Sequence, residues 1–89
     1  MSMKFLLGQL VLTTNADATL NSEDMFLSLA RHVSGDWGDL CKEDKLENDC
    51  ALDGHGRLFS SYVDRNGKKF WIITEHDRSV TTVLLPEDY

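Results

Sequence analysis

Three residues of this chain are of the types that could move a phosphoryl group without a metal. His32 could act as a base, Arg78 as the cation that holds the phosphate, and Thr81, beside Thr82, as the hydroxyl. A metal-independent ribonuclease needs those functions gathered at one sheet edge. Arg31, Arg57, Thr74, Glu75 and His76 could serve the same end. Against this stands the local context of each residue. His32 falls in the last turn of a helix, where a cation is favoured anyway, and Glu75, Asp77 and Asp36 are available as ion-pair partners for Arg78. A net charge of −6 also opposes a cleft built for phosphate.

Other cofactor chemistry has less support. His55, His76, Cys41 and Cys50 show none of the ligand spacings of a metal site. The chain has no phosphate loop, dinucleotide fingerprint or nucleophile elbow, so the expectation is no metal and no cofactor. Cys41 and Cys50 fall on one helix and are expected to be free thiols in a reducing cytosol.

The charge is concentrated in one stretch. Asp36, Asp39, Glu43, Asp44, Glu47, Asp49 and Asp53 face only Lys42 and Lys45. Such a run is either a solvated helix face or a negative patch offered to a basic protein surface. The loop Gly35-Asp36-Trp37-Gly38-Asp39 precedes it. There Trp37 either plugs the seam between two helices, with Asp36 and Asp39 as turn and cap, or joins the patch.

The elements that must position these residues follow from patterning. With 89 residues, 42% hydrophobic and 27% charged, the chain is read as a single domain over 1–89. Lys4 to Thr13 reads as a strand and Ala16-Asp17-Ala18-Thr19 as a loop. Asn21 or Ser22 caps a helix with Phe26, Leu29, Ala30 and Val33 inward, closed by Gly35. A second helix runs from Asp39 to Leu52 with Leu40, Cys41, Leu46, Cys50 and Ala51 on its apolar side. Asp53-Gly54-His55-Gly56 breaks the chain. Strands follow at Arg57 to Val63, Phe70 to Thr74 and Val80 to Leu85, with a turn at His76 to Ser79.

Asn66-Gly67 predicts a two-residue type I′ turn, which pairs Val63 with Phe70 and Tyr62 with Trp71. That register puts Phe59, Val63, Phe70 and Ile72 on one face and Leu58, Tyr62, Trp71 and Ile73 on the other. The fold class is α+β in the order β-α-α-β-β-β, an antiparallel sheet with both helices on one face. The second face is closed either by the N-terminal segment and loops or by a partner that covers Tyr62, Trp71 and Ile73. The start of the chain is too short and interrupted for a membrane span and lacks a cleavage pattern, so a cytoplasmic location is expected.

One further pattern spans the chain. Arg31-His32-Val33-Ser34-Gly35-Asp36-Trp37-Gly38-Asp39-Leu40, then Trp71-Ile72-Ile73-Thr74-Glu75, then Asp77-Arg78-Ser79-Val80-Thr81-Thr82-Val83-Leu84-Leu85-Pro86 and Tyr89 resemble a family of small bacterial proteins carried by plasmids, prophages and other mobile elements. The resemblance implies no established activity. It raises two classes: a modulator of a host complex, and a toxin-like enzyme, whose order of helix then curved antiparallel sheet resembles the small barnase-like and RelE-like nucleases in architecture alone. The first is the primary expectation. It is a non-catalytic acidic protein that engages a basic surface of a host or element-encoded complex through Asp36, Trp37, Asp39, Glu43, Asp44, Glu47, Tyr62 and Trp71, without direct nucleic-acid or membrane binding. Homodimerisation through Tyr62 and Trp71 is compatible with both classes.

Overall fold

The structure, a computed structural model, describes residues 3–53 and 56–89. Gly54 and His55 of the breaker cluster therefore lie outside the described residues. The fold is α+β. Its elements are β1 (Gln9–Leu12), α1 (Thr14–Thr19), α2 (Ser22–Val33), α3 (Lys42–Ala51), β2 (Leu58–Val63), β3 (Lys69–Thr74) and β4 (Val80–Leu84), then a 3₁₀ turn, Pro86–Asp88. The four-stranded sheet has the order β1-β4-β3-β2.

α2 is set by its ends. The Asn21 side chain accepts a hydrogen bond from Asp24 N, Glu23 and Asp24 occupy the first turn, and Gly35 closes the helix at φ 87. Asp36 N donates to Arg31 O and Gly35 N to His32 O, the paired bonds of a Schellman motif. Its inward face is Met25, Ser28, Leu29, His32 and Val33. Leu29 and Val33 are inward as expected and Ala30 is half-buried, but Phe26 is exposed and Met25 takes its place in the buried stripe.

Three further expectations are corrected. The stretch 14–19 is a helix because the Thr13 hydroxyl caps it, accepting from Ala16 N. The sheet is mixed, since β1 pairs parallel to β4. Most consequential is the β2–β3 register, in which Tyr62 faces Phe70 and Ser61 faces Trp71. Asp64 causes the slip. Its carboxylate accepts from Asn66 N and Lys68 N, Asp64 N donates to Lys68 O, and Gly67 alone takes a positive φ, of 79. The loop is thus Arg65-Asn66-Gly67, a turn closed by a glycine bulge in place of the two-residue I′ turn. A slip of one residue exchanges the faces of β2 relative to β3.

Tyr62 therefore joins Phe70, Ile72 and Val83 beneath Met25 and Leu29 of α2, with Ala16, Leu20 and Leu85 completing the core. On the other face, Ile73 and Leu84 are buried while Phe59 and Trp71 are half-buried. Part of that cover comes from the C-terminal turn, where the Tyr89 ring meets Trp71 edge-on at 5.9 Å. The N-terminal segment goes instead to the helix side, where Phe5 stacks on Trp37 at 6.2 Å and meets His32 at 5.2 Å.

α3 is not on the face that α2 covers. It runs beside the outer edge of β2, and the Asn48 amide takes the place of a neighbouring strand: its Nδ2 donates to Phe59 O and its Oδ1 accepts from Phe59 N. The loop before it extends the cover, with Asp39 N donating to Ser61 O and Ser61 N to Trp37 O. An edge that would template aggregation is closed by these groups.

Candidate functional site

His32 and Thr81 do come together, in the interior. His32 Nδ1 lies 2.5 Å from Ser60 Oγ, and Nε2 lies 2.9 Å from Thr74 Oγ1. Thr74 Oγ1 lies 2.7 Å from Thr81 Oγ1, which donates at 2.7 Å to Leu7 O. The last bond fixes the direction of the rest. The Thr81 proton is committed to the Leu7 carbonyl, so Thr74 donates to Thr81, and His32 Nε2–H donates to Thr74. Nδ1 is then the acceptor for the Ser60 hydroxyl. Every hydroxyl and both ring nitrogens are satisfied only with His32 neutral.

Burial has the same effect. His32, Ser60, Thr74 and Thr81 are each 0% exposed, and desolvation, with Arg78 nearby, lowers the His32 pKa to about 3. A base paired to a hydroxyl resembles nucleophile chemistry, but in this arrangement a phosphodiester has no route to either group.

Arg78 lies against Phe5, its guanidinium 5.8 Å from that ring. Nη1 donates to Gly56 O, Glu75 O and His76 O, and Nη2 donates to Ala51 O at 2.6 Å. These bonds tie the end of α3 to the β3–β4 turn. They also hold Arg78 at φ 60, a left-handed conformation unfavourable for a residue with a Cβ. His32, Arg78 and Thr81 are therefore parts of two structural devices and form no common surface. Thr82 points to the opposite face from Thr81, as strand alternation requires.

The expected binding residues divide similarly. Trp37 is 3% exposed, wedged against Phe5 and His32, and its indole N–H donates to Asp49 at 2.9 Å. Tyr62 is 1% exposed, its hydroxyl donating to Asp36 O and its ring beneath the Arg31 guanidinium. Neither presents its side chain to a partner; Trp37 acts as the plug and Tyr62 as core. Asp36 is paired with Arg31 at 2.8 Å, and that bond, with a further one from Gly38 N, holds its carboxyl below the usual range. Asp39 is exposed and does not cap α3, whose N-cap is Cys41.

Glu43, Asp44 and Glu47 are exposed on α3. The ion pairs among the described residues are Arg31 with Asp36, Arg57 with Glu75, and Arg65 with Glu23 and Asp24, so these three take part in none of them. α3 buries a single side chain, Asn48. Leu46, expected inward, is 54% exposed, and Cys50 one turn later is also exposed. Glu43, Leu46, Glu47 and Cys50 stand at i, i+3, i+4 and i+7 and form one wall of a trough of about 630 Å³ whose other wall includes Arg57. Sequence reasoning missed this trough because it assigned Leu46 and Cys50 to the core. A second groove, of about 310 Å³, opens on the sheet face between Arg57, Phe59, Trp71, Ile73 and Tyr89. Trp71 belongs to it without Tyr62.

Among the described residues, no cluster of His, Cys, Asp and Glu is arranged to hold a metal ion, and no helix is long and apolar enough to cross a membrane. What the fold and the site define is a small α+β domain with a sealed polar core and an outlying acidic helix. Comparison with protein-family models, curated proteins and solved structures finds no match to the chain.

Proposed function

We propose that this chain is a non-catalytic binding protein of a mobile genetic element, of the group its sequence pattern resembles, and that α3 engages a basic surface of a host or element-encoded protein complex. The observation that carries the reading is the free surface of α3. A ten-residue helix is marginal on its own, and this one contributes only Asn48 to the interior. Its outer side instead combines the carboxylates Glu43, Asp44 and Glu47 with Leu46. Carboxylates around an apolar residue suit a partner that offers Lys and Arg around an apolar site, with charge setting the encounter rate and the apolar contact the lifetime.

The test is affinity capture with the intact chain, followed by measurement of the captured complex with Glu43→Gln, Asp44→Gln and Glu47→Gln combined, and separately with Leu46→Ala. Neutral variants are preferred because lysines at Glu43 and Asp44 would oppose the helix dipole. Weakening by about tenfold or more in the triple variant, and strong dependence on salt, are the expected results. Unchanged affinity in a helix that circular dichroism shows intact would refute the assignment.

A further inference from the structure

The two edges of the sheet are treated differently. The β2 edge is closed by Asn48 and by the 37–39 loop. The β1 edge, at the other end of the order β1-β4-β3-β2, has no such cover among the described residues. Gln9 N donates to Ser79 O and Thr13 N to Val83 O, so by alternation the N–H and C=O groups of Leu10 and Leu12 point outward from the sheet. Leu6, Leu10 and Val11 are exposed beside them.

Edges left open are ordinarily protected by Lys, Pro or a bulge. This one has only its length of four residues as protection: from Phe5 to Ala16 the sequence contains no charged residue, in a chain of net charge −6. Two copies of so acidic a protein carry like net charge and repel each other overall. Here the strand itself carries no charge, the Asp88 carboxylate that accepts from Thr13 and Asn15 lies past its end and away from Val11, and outward N–H and C=O groups that water otherwise satisfies are free to pair with another strand.

We infer that β1 is a self-association edge, at which a second copy of this chain adds its own β1 antiparallel across a two-fold axis. The register follows from the outward groups. Leu10 and Leu12 must exchange hydrogen bonds with Leu12 and Leu10 of the second copy, which puts Val11 opposite its own counterpart on the axis. That position is a non-hydrogen-bonded antiparallel pair, with side chains about 4.5 to 5.5 Å apart at Cβ. Pairing through so short a strand is a weak, concentration-dependent interface. It is independent of the binding role of α3, on another part of the fold.

Sedimentation of the full chain from about 1 μM to about 1 mM is expected to show the mass rising from 10.1 kDa toward twice that value. Val11→Lys puts two ammonium groups face to face and is expected to keep the protein monomeric throughout, with an unchanged circular dichroism spectrum. In a Cys41→Ser, Cys50→Ser background, Val11→Cys is expected to give a disulfide-linked dimer on mild oxidation, since the pair lies within disulfide reach. Val63→Cys, exposed on the opposite edge strand, should not. A monomer at all concentrations, a dimer indifferent to Val11→Lys, or equal cross-linking at Val11 and Val63 would each overturn the inference.

Discussion

Acidification between neutrality and about pH 5 should weaken this fold through His32 alone among the groups whose ionisation the structure shifts. A buried imidazole whose pKa falls from 6.5 to about 3 stays neutral in the folded chain and takes up a proton on unfolding. Its contribution is therefore fully present above the unfolded value and is lost as pH falls from 6.5 toward 3. Complete loss would correspond to about 5 kcal/mol, and the part realised between pH 7 and pH 5 is about 2 kcal/mol. For a domain of this size that is a substantial share of the total stability. The shifted carboxyls act elsewhere on the scale. Asp24, Asp36, Asp64, Asp77 and Asp88 all lie below their ordinary 3.8, so what they contribute is retained above that value and lost only below it. Urea titrations followed by tryptophan fluorescence should show the midpoint falling by roughly 1 to 2 M between pH 7 and pH 5. His32→Gln can accept from Ser60 and donate to Thr74 without titrating; it should be less stable at pH 7 and nearly flat over the same interval. Nitrogen NMR of the native chain should show a protonated Nε2 and a bare Nδ1. A wild-type midpoint that does not move, or an equal slope in His32→Gln, would refute the argument.

Gly38→Ala and Gly67→Ala separate close approach from conformational freedom. Both glycines have positive φ, 75 and 79, but a Cβ at Gly38 would lie 2.0 Å from Ser61 O while one at Gly67 meets nothing within 4 Å. Gly67→Ala should cost about 1 to 2 kcal/mol by chemical denaturation, and Gly38→Ala clearly more, because the 37–39 loop must lift from β2. Equal costs would contradict the described edge closure. Asn48→Ala removes both bonds to the Phe59 backbone and should destabilise the chain by about 1 to 3 kcal/mol. Hydrogen exchange should report it first as faster exchange across α3; exchange that speeds up uniformly over the whole chain would refute a local tether.

Local chemistry made some of this architecture legible. The ends of α2 could be read because Asn21 and Gly35 act within a few residues, and the strands at 58–63, 69–74 and 80–84 because β-branched and aromatic runs lie between clear turns. The Asn66-Gly67 hairpin was legible as a hairpin but not in register. The deciding group was the Asp64 carboxylate, which also accepts from Asn21 N and so answers to the start of α2 as much as to the turn. The exchange of Tyr62 from the outer to the inner face follows from that one side chain. His32 was hidden for a related reason: its partners Ser60 and Thr74 lie 28 and 42 residues away, and a polar residue beside Leu29 on a helix reads as exposed until those hydroxyls are in place.

α3 reverses the case. Its sparse apolar residues read as a core stripe, but the helix meets β2 through an amide, receives an indole N–H on Asp49, and has its terminal Ala51 carbonyl held by Arg78. Polar tethers can fix a helix at a sheet edge without consuming its apolar surface. Leu46 and Cys50 are thereby left outside beside Glu43 and Glu47, and an amphipathic pattern that normally points to the interior here points away from it.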